Sequence, residues 1–536
     1  MRDDLVGAGD RPLPANHEEL TPLSFLERSV LIYGDRVAVV HEDRRYTYSE
    51  LGERVSRLAS ALRRAGLQKG DRVAFIAPNT PALLEAHYGV PAAGGVLVAL
   101  NHRLKPAEVG TLVEHSGARF VFVDHELEPL AAGAAADPDV RVIRIDDTGA
   151  PGDPYEDFLA GGSPERVEHT LADEREPISI NYTSGTTGHP KGAVYRHRGA
   201  YLNALGEVIE TQLTPTSVYL WTLPMFHCNG WCFTWAVTAV GGRHVCLRKV
   251  DPGRIWELIH AEGVTHYNAA PTVQKALVEH ADARPVGHEV VTCVSGSPPT
   301  KELFAALVDL GFRPIHVYGA TELYGPYMIC EPQEAWKELP LDEQVALLSR
   351  QGVNYVTAHP VRVLDGAGRD VPADGATLGE IVMRGNDVMA GYLHDPEQTA
   401  ATLADGWYRS GDLAVRHPDG YVEIRDRKKD IIISGGENIS TIEVEQAIAA
   451  HPAVAAVAVV STPDAKWGER PKAFVESKPG AHVTAEELLA FARERLPGFM
   501  RPDTVEFMTL PRTSTGKVPK NGLRDREWAG WARKVA

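Results

Sequence analysis

The chain has 536 residues, 43% of them hydrophobic and 24% charged, with a formal net charge of -17 at pH 7. This is ordinary for a folded globular protein and excludes collagen-like, coiled-coil and disordered classes; at about 100 to 200 residues per domain it implies three or four folded units. The acidic balance argues against a nucleic-acid partner, which would need clustered Lys and Arg, so any anionic ligand must be held locally.

The opening segment, MRDDLVGAGDRPLPANHEEL, lacks the apolar middle of a signal peptide. No apolar run reaches the 18 or more residues of a membrane span, and GGVLVAL at 94–100 reads as a buried helix-to-strand segment. A cytoplasmic enzyme is therefore the expectation. Thr47 and Glu50 form a capping box ahead of an amphipathic helix that runs to Gly66, followed by the strand DRVAFIA. A helix over 81–93 and a strand over 95–100 continue the alternation, which predicts βα units around a largely parallel sheet with ligands at the strand ends. ISINY reads as a strand and HRGAYLNALGEVIETQ as a helix, so the glycine-rich segment between them is expected to join strand to helix.

Five cysteines (228, 232, 246, 293 and 330) are too few and too unevenly spaced for a disulfide framework. His227, Cys228, Cys232, His244 and Cys246 lie close in sequence, but without a CxxC or HxxxH pair they read as buried packing rather than a zinc site. From 361 to 426 short β-type runs (VRVLD, GEIVMRG, YVEIRD) between Gly, Asp and Pro turns predict a small barrel or sheet module. After DRKKD at 426–430, Ser440 with Glu443 and Thr484 with Glu487 predict two capped helices, and AVAAVAVV and KAFVE predict strands. These make residues 431–536 a separate small α+β domain behind a charged hinge.

The chemistry concentrates in YTSGTTGHPKGA at 182–193. Glycines let a backbone approach a ligand closely, hydroxyls add donors and Lys191 adds a cation, a combination suited to phosphate. It is not a Walker A loop, because Gly188-His189-Pro190-Lys191-Gly192 has the wrong order.

The string YTSGTTGHPKG resembles the phosphate loop of the adenylate-forming superfamily, and the resemblance extends from Thr47 to Lys517. LPMFHCNGW (223–231), VYGATE (317–322), GEIVMRG (379–385), YRSGDLA (408–414), DRKKDIIISGGENIS (426–440) and PRTSTGK (511–517) match further family motifs in the family's order. The resemblance implies an α/β fold: an N-terminal adenylation domain (1–427) of two flavodoxin-like subdomains plus a small β-barrel, a hinge at 428–430, and a mobile α+β lid (431–536). It implies an AMP-forming acyl-CoA synthetase using ATP, Mg²⁺ and coenzyme A. A small carboxylic acid becomes an acyl-adenylate with release of pyrophosphate, and then an acyl-CoA with release of AMP.

By the same resemblance, Thr183, Ser184, Gly185, Thr186, Thr187, Gly188 and Lys191 surround the phosphates. Tyr318 and Gly319 meet adenine with Ser297 nearby, Thr321 reaches the α-phosphate, and Glu322 holds the metal. Asp412 and Arg427 take the ribose, while His227, Trp231, Gly296 and Tyr324 line the acyl pocket beside the aromatic run 226–235. Lys517 bridges carboxylate and α-phosphate in the first step, so its loss is expected to remove adenylation first. Lys429 is the hinge position, and rotation there brings Gly435, Gly436 and Glu437 in around the pantetheine arm. The signature at 223–231 with Tyr324-Gly325-Pro326 is nearest to short- and medium-chain acyl-CoA ligases and methylmercaptopropionate-CoA ligases. An aryl or specialised-metabolite acid, an enzyme of the thioester half-reaction alone, and a nucleotide binder with little catalysis stand as alternatives. A carrier-linked adenylation domain is disfavoured because the sequence ends soon after Lys517. A homodimer is left open.

Overall fold

The computed structural model describes residues 18–169, 171–183, 190–295, 301–512 and 518–531. Helix Tyr48–Arg64 begins as expected: Thr47 Oγ1 accepts from the Glu50 N–H and the Glu50 carboxylate accepts from the Thr47 N–H at 2.7 Å. Its buried Leu51, Val55, Leu58 and Leu62 recur at helical spacing and face the core. Strands Arg72–Ile76 and Val96–Ala99, almost wholly apolar, are buried on both faces, as parallel strands between helices require.

Two large sheets result. One has six strands in the order Arg141–Ile145, Ala118–Asp124, Arg72–Ile76, Val96–Ala99, Pro177–Tyr182, Gly192–Arg196, parallel except for the last pair. The other has nine, with a parallel centre (Phe312–Ala320, Val290–Val294, His266–Ala269, Val218–Leu220, Arg243–Val245, Val37–His41) and antiparallel strands at both edges. The barrel-like module is a four-stranded antiparallel sheet: Arg362–Leu364, Gly379–Met383, Tyr408–Arg416, Val422–Arg427. The last part of the chain is a five-stranded sheet with helices Thr441–Ala449, Ala485–Arg493 and Lys520–Glu527, the α+β unit expected there. Among the described residues no helix is long and apolar enough to cross a membrane.

The structure overturns one expectation. The glycine-rich segment does not lead from strand to helix: Gly192–Arg196 is a strand antiparallel to Pro177–Tyr182, and helix His197–Glu210 starts only after it. Buried Ala193 and Tyr195 alternate with more open Val194 and Arg196, a period of two that the following helix pattern masked. The strands that flank residues 184–189 thus pair as a hairpin, closed by the Thr183 N–H donating to the Lys191 carbonyl at 3.0 Å. The capping box at 440–443 forms in one half. Ser440 Oγ accepts from the Glu443 N–H at 3.1 Å, without the reciprocal bond from the Ser440 N–H to the Glu443 side chain.

Candidate active site

The VYGATE segment ends strand Phe312–Ala320, passes through a short 3₁₀ turn at Thr321–Leu323 and returns antiparallel as Gly325–Ile329. This return demands Gly319: a Cβ there would lie 1.7 Å from the Gly325 carbonyl oxygen. Tyr324 makes the turn in a left-handed conformation, φ 67°. The hairpin so formed carries Glu322, half-buried, to a position where two phenols reach it. Tyr392 Oη donates to one carboxylate oxygen at 2.6 Å and Tyr408 Oη lies 3.4 Å from the other. Burial, then the Glu322 charge, pushes both phenols well above the ordinary tyrosine range, so both stay protonated donors.

Lys191 meets the same group from the phosphate-loop hairpin, its Nζ 5.7 Å from the centroid of the Tyr392 ring. Ala193 also pairs with Tyr392 in an isolated antiparallel bridge. Tyr392 thus joins the loop lysine to the carboxylate, and no motif singled it out. The backbone around it gave the only signal, a glycine-tyrosine pair in MAGYLHD (389–395).

A second cluster forms across the four-stranded sheet. Asp412 and Arg427 are directly paired partners on adjacent strands, with Nε to Oδ1 at 3.5 Å. Tyr318 Oη donates to the other Asp412 oxygen at 2.6 Å, and burial followed by the Asp412 charge raises the Tyr318 phenol. A carboxylate is an acceptor with about four lone-pair sites, the chemistry that vicinal hydroxyl donors require. Thr321 sits between the clusters. Tyr195 Oη donates to its carbonyl at 2.5 Å, and Cys228 Sγ lies 3.6 Å from its hydroxyl.

Of the acyl-side residues, His227 is half-buried next to Cys228, whereas Trp231 and Tyr324 are buried. Tyr324 stacks on Tyr195 with centroids 4.0 Å apart, and its hydroxyl accepts the Arg196 N–H at 2.6 Å. Trp231 lies against Gly325, where a Cβ would come 3.0 Å from its Cα. Phe233 and Trp235 are core, Trp235 Nε1 donating to the His87 carbonyl at 3.2 Å. His244 has both ring nitrogens engaged, with Trp221 at 3.1 Å and Thr238 at 3.0 Å, and all five cysteines are buried thiols.

Lys429 is exposed beside the sheet. Gly435 and Gly436 both take left-handed conformations (φ 60° and 91°), and a Cβ on Gly435 would come 2.6 Å from the Trp467 ring. Glu437 follows, exposed. Ser184, Gly185, Thr186, Thr187, Gly188, Gly296, Ser297 and Lys517 lie outside the described residues. Among the described residues no group of three or more His, Cys, Asp or Glu is arranged to hold a metal. Mg²⁺ typically binds through one or two carboxylates plus phosphates and water, which Glu322 alone fits.

Two family models match the chain, AMP-binding enzyme over residues 26–393 and AMP-binding enzyme C-terminal domain over 443–517. An acetate–CoA ligase of Humulus lupulus is 44% identical, with 97% of this chain and 97% of that protein covered. A peroxisomal acetate/butyrate–CoA ligase of Arabidopsis thaliana is 43% identical, covering 96% of this chain and 95% of the relative. Among solved structures, MatB from Rhodopseudomonas palustris is 27% identical over 94% of this chain and 98% of its own. The TM-score is 0.84 for the ATP-bound form and 0.73 for the apo form. The chain belongs to the AMP-binding enzyme family, the adenylate-forming enzymes that its motifs resemble.

Proposed function

We infer that this protein is an AMP-forming acyl-CoA ligase acting on short aliphatic acids. The observation that carries the reading is the convergence of Lys191, Glu322, Asp412 and Arg427, drawn from four separate motifs, on two tyrosine-centred clusters flanking Thr321. In the first step one carboxylate oxygen of the acid bonds to the α-phosphorus of ATP as the bond to pyrophosphate breaks. In the second, the sulfur of CoA bonds to the acyl carbon as the acyl–oxygen bond to AMP breaks.

Both steps bring negative groups together, so the site's work is positioning and charge compensation. Lys191 faces the outer phosphates, Asp412 accepts from the ribose hydroxyls, and the Thr321 turn meets the α-phosphate. Glu322 would hold Mg²⁺, which supplies charge neutralisation at the phosphate oxygens. The short-acid reading rests on the acetate and butyrate named in the relatives and on the bulk of the buried acyl-side residues Trp231 and Tyr324. A panel of linear C2 to C8 and aryl acids, assayed for acid-dependent pyrophosphate release and for the CoA thioester by mass spectrometry, tests this. The expected optimum is at C2 to C4; highest turnover with an aryl acid would refute the aliphatic assignment, and thioester without pyrophosphate would refute the ligase.

A further inference from the structure

Helix Lys520–Glu527, which follows the Lys517 motif in sequence, is fastened to the nucleotide side of the chain through a buried node. Asp426 ends strand Val422–Arg427, one residue before Arg427, and is 1% exposed. Its Oδ2 accepts from both the N–H (2.5 Å) and the hydroxyl (2.7 Å) of Thr441, the first residue of helix Thr441–Ala449. Beside it, Ser440 Oγ donates to the Arg425 carbonyl at 2.6 Å. Strand and helix lie on opposite sides of the Lys429 pivot, so these bonds cross the hinge.

The Thr441 hydroxyl has a second partner. Lys520 Nζ donates to it at 2.8 Å and pairs with Glu445 at 2.6 Å, one turn further along the same helix. Lys520 opens helix Lys520–Glu527 three residues after Lys517. One turn on, Arg524 holds the Lys429 carbonyl at 3.0 Å and Asp430 at 2.6 Å. The same face of this helix, at positions i and i+4, thus grips the cross-hinge node and the pivot peptide.

The chain superposes better on the ATP-bound than on the apo form of the same neighbour. We propose that Lys520 and Thr441 are positioning residues for adenylation: the Asp426–Thr441–Lys520 clasp fixes where the lysine arm stands relative to the ribose strand, and rotation at Lys429 must open it. The clasp acts in the first half-reaction and is released for the second. This rests on the two-step reading above.

Thr441→Val keeps the shape and removes the hydroxyl, Lys520→Met removes the ammonium, and Thr441→Ser is the conservative control. Acid-dependent pyrophosphate exchange is expected to fall about tenfold in the Val and Met variants, the scale of one hydrogen bond to a charged group. Thioester formation from preformed acyl-adenylate is expected to change less than about twofold, and the Ser variant to recover exchange. Equal losses in both half-reactions, a larger loss in the thioester half, or no loss in either would overturn the proposal. A Val variant that fails to fold leaves Lys520→Met as the deciding protein. Wild-type enzyme lacking exchange altogether would instead refute the ligase reading.

Discussion

Glu322 takes hydrogen bonds at both carboxylate oxygens from phenols that burial keeps protonated, and one of those phenols also lies under the loop lysine. A carboxylate so restrained presents its remaining lone pairs in one direction, and Glu322 would hold Mg²⁺ through them on the function proposed above. Tyr392→Phe keeps the ring beneath Lys191 and removes only the donor. Pyrophosphate exchange should fall about tenfold with a raised Mg²⁺ requirement, at an unfolding midpoint near that of the wild type. Unchanged Mg²⁺ dependence would show that the phenol does not position Glu322. The residues legible in the sequence, Lys191, Glu322 and Asp412, are those whose chemistry is carried by charge within a recognisable string. Tyr392 and Tyr408 were not legible because a tyrosine's pattern does not reveal whether its hydroxyl meets a carboxylate or its ring merely fills the core.

At the scale of elements, the turn at 228–232 is the most constrained piece of backbone near the site. Cys228, Asn229, Gly230, Trp231 and Cys232 all have positive φ, between 46° and 62°. A left-handed residue with a side chain costs roughly 1–2 kcal/mol, so four non-glycine examples in one turn need strong support. Asn229 supplies it. Its N–H donates to Asn181 at 2.9 Å, its side-chain oxygen accepts from Asn181 and Ser179 at 2.5 Å each, and its amide donates to His87 at 3.1 Å. The His87 ring can accept because its other nitrogen donates to the Leu83 carbonyl at 2.7 Å, and burial lowers its pKa to about 4. A Cβ at Gly230 would meet the Trp221 ring at 2.6 Å. Asn229→Ala should cost about 3 kcal/mol in urea unfolding and raise the KM for the acid more than that for ATP. Full stability in that variant would mean the turn is held by something else. Such a turn leaves no periodic trace, so HCNGWC reads from sequence only as an aromatic stretch. The hairpin strand Gly192–Arg196 was missed for a related reason, five residues being too short to stand out beside a fourteen-residue helix.

Across the whole molecule, the order of βα units, the antiparallel module and the α+β end were legible because capping boxes and apolar runs mark them individually, as at Thr47 and Thr484. What brings Lys191, Glu322 and Asp412 together is the packing of separate sheets and hairpins, which no local pattern encodes. On the function proposed above, that assembly serves first the step in which the acid's own oxygen attacks the α-phosphorus. Turnover of an acid labelled with ¹⁸O in both carboxylate oxygens, followed by mass spectrometry of AMP and pyrophosphate, reads this directly. The expected result is one ¹⁸O atom in AMP and none in pyrophosphate. Unlabelled AMP, or label in pyrophosphate or inorganic phosphate, would contradict it.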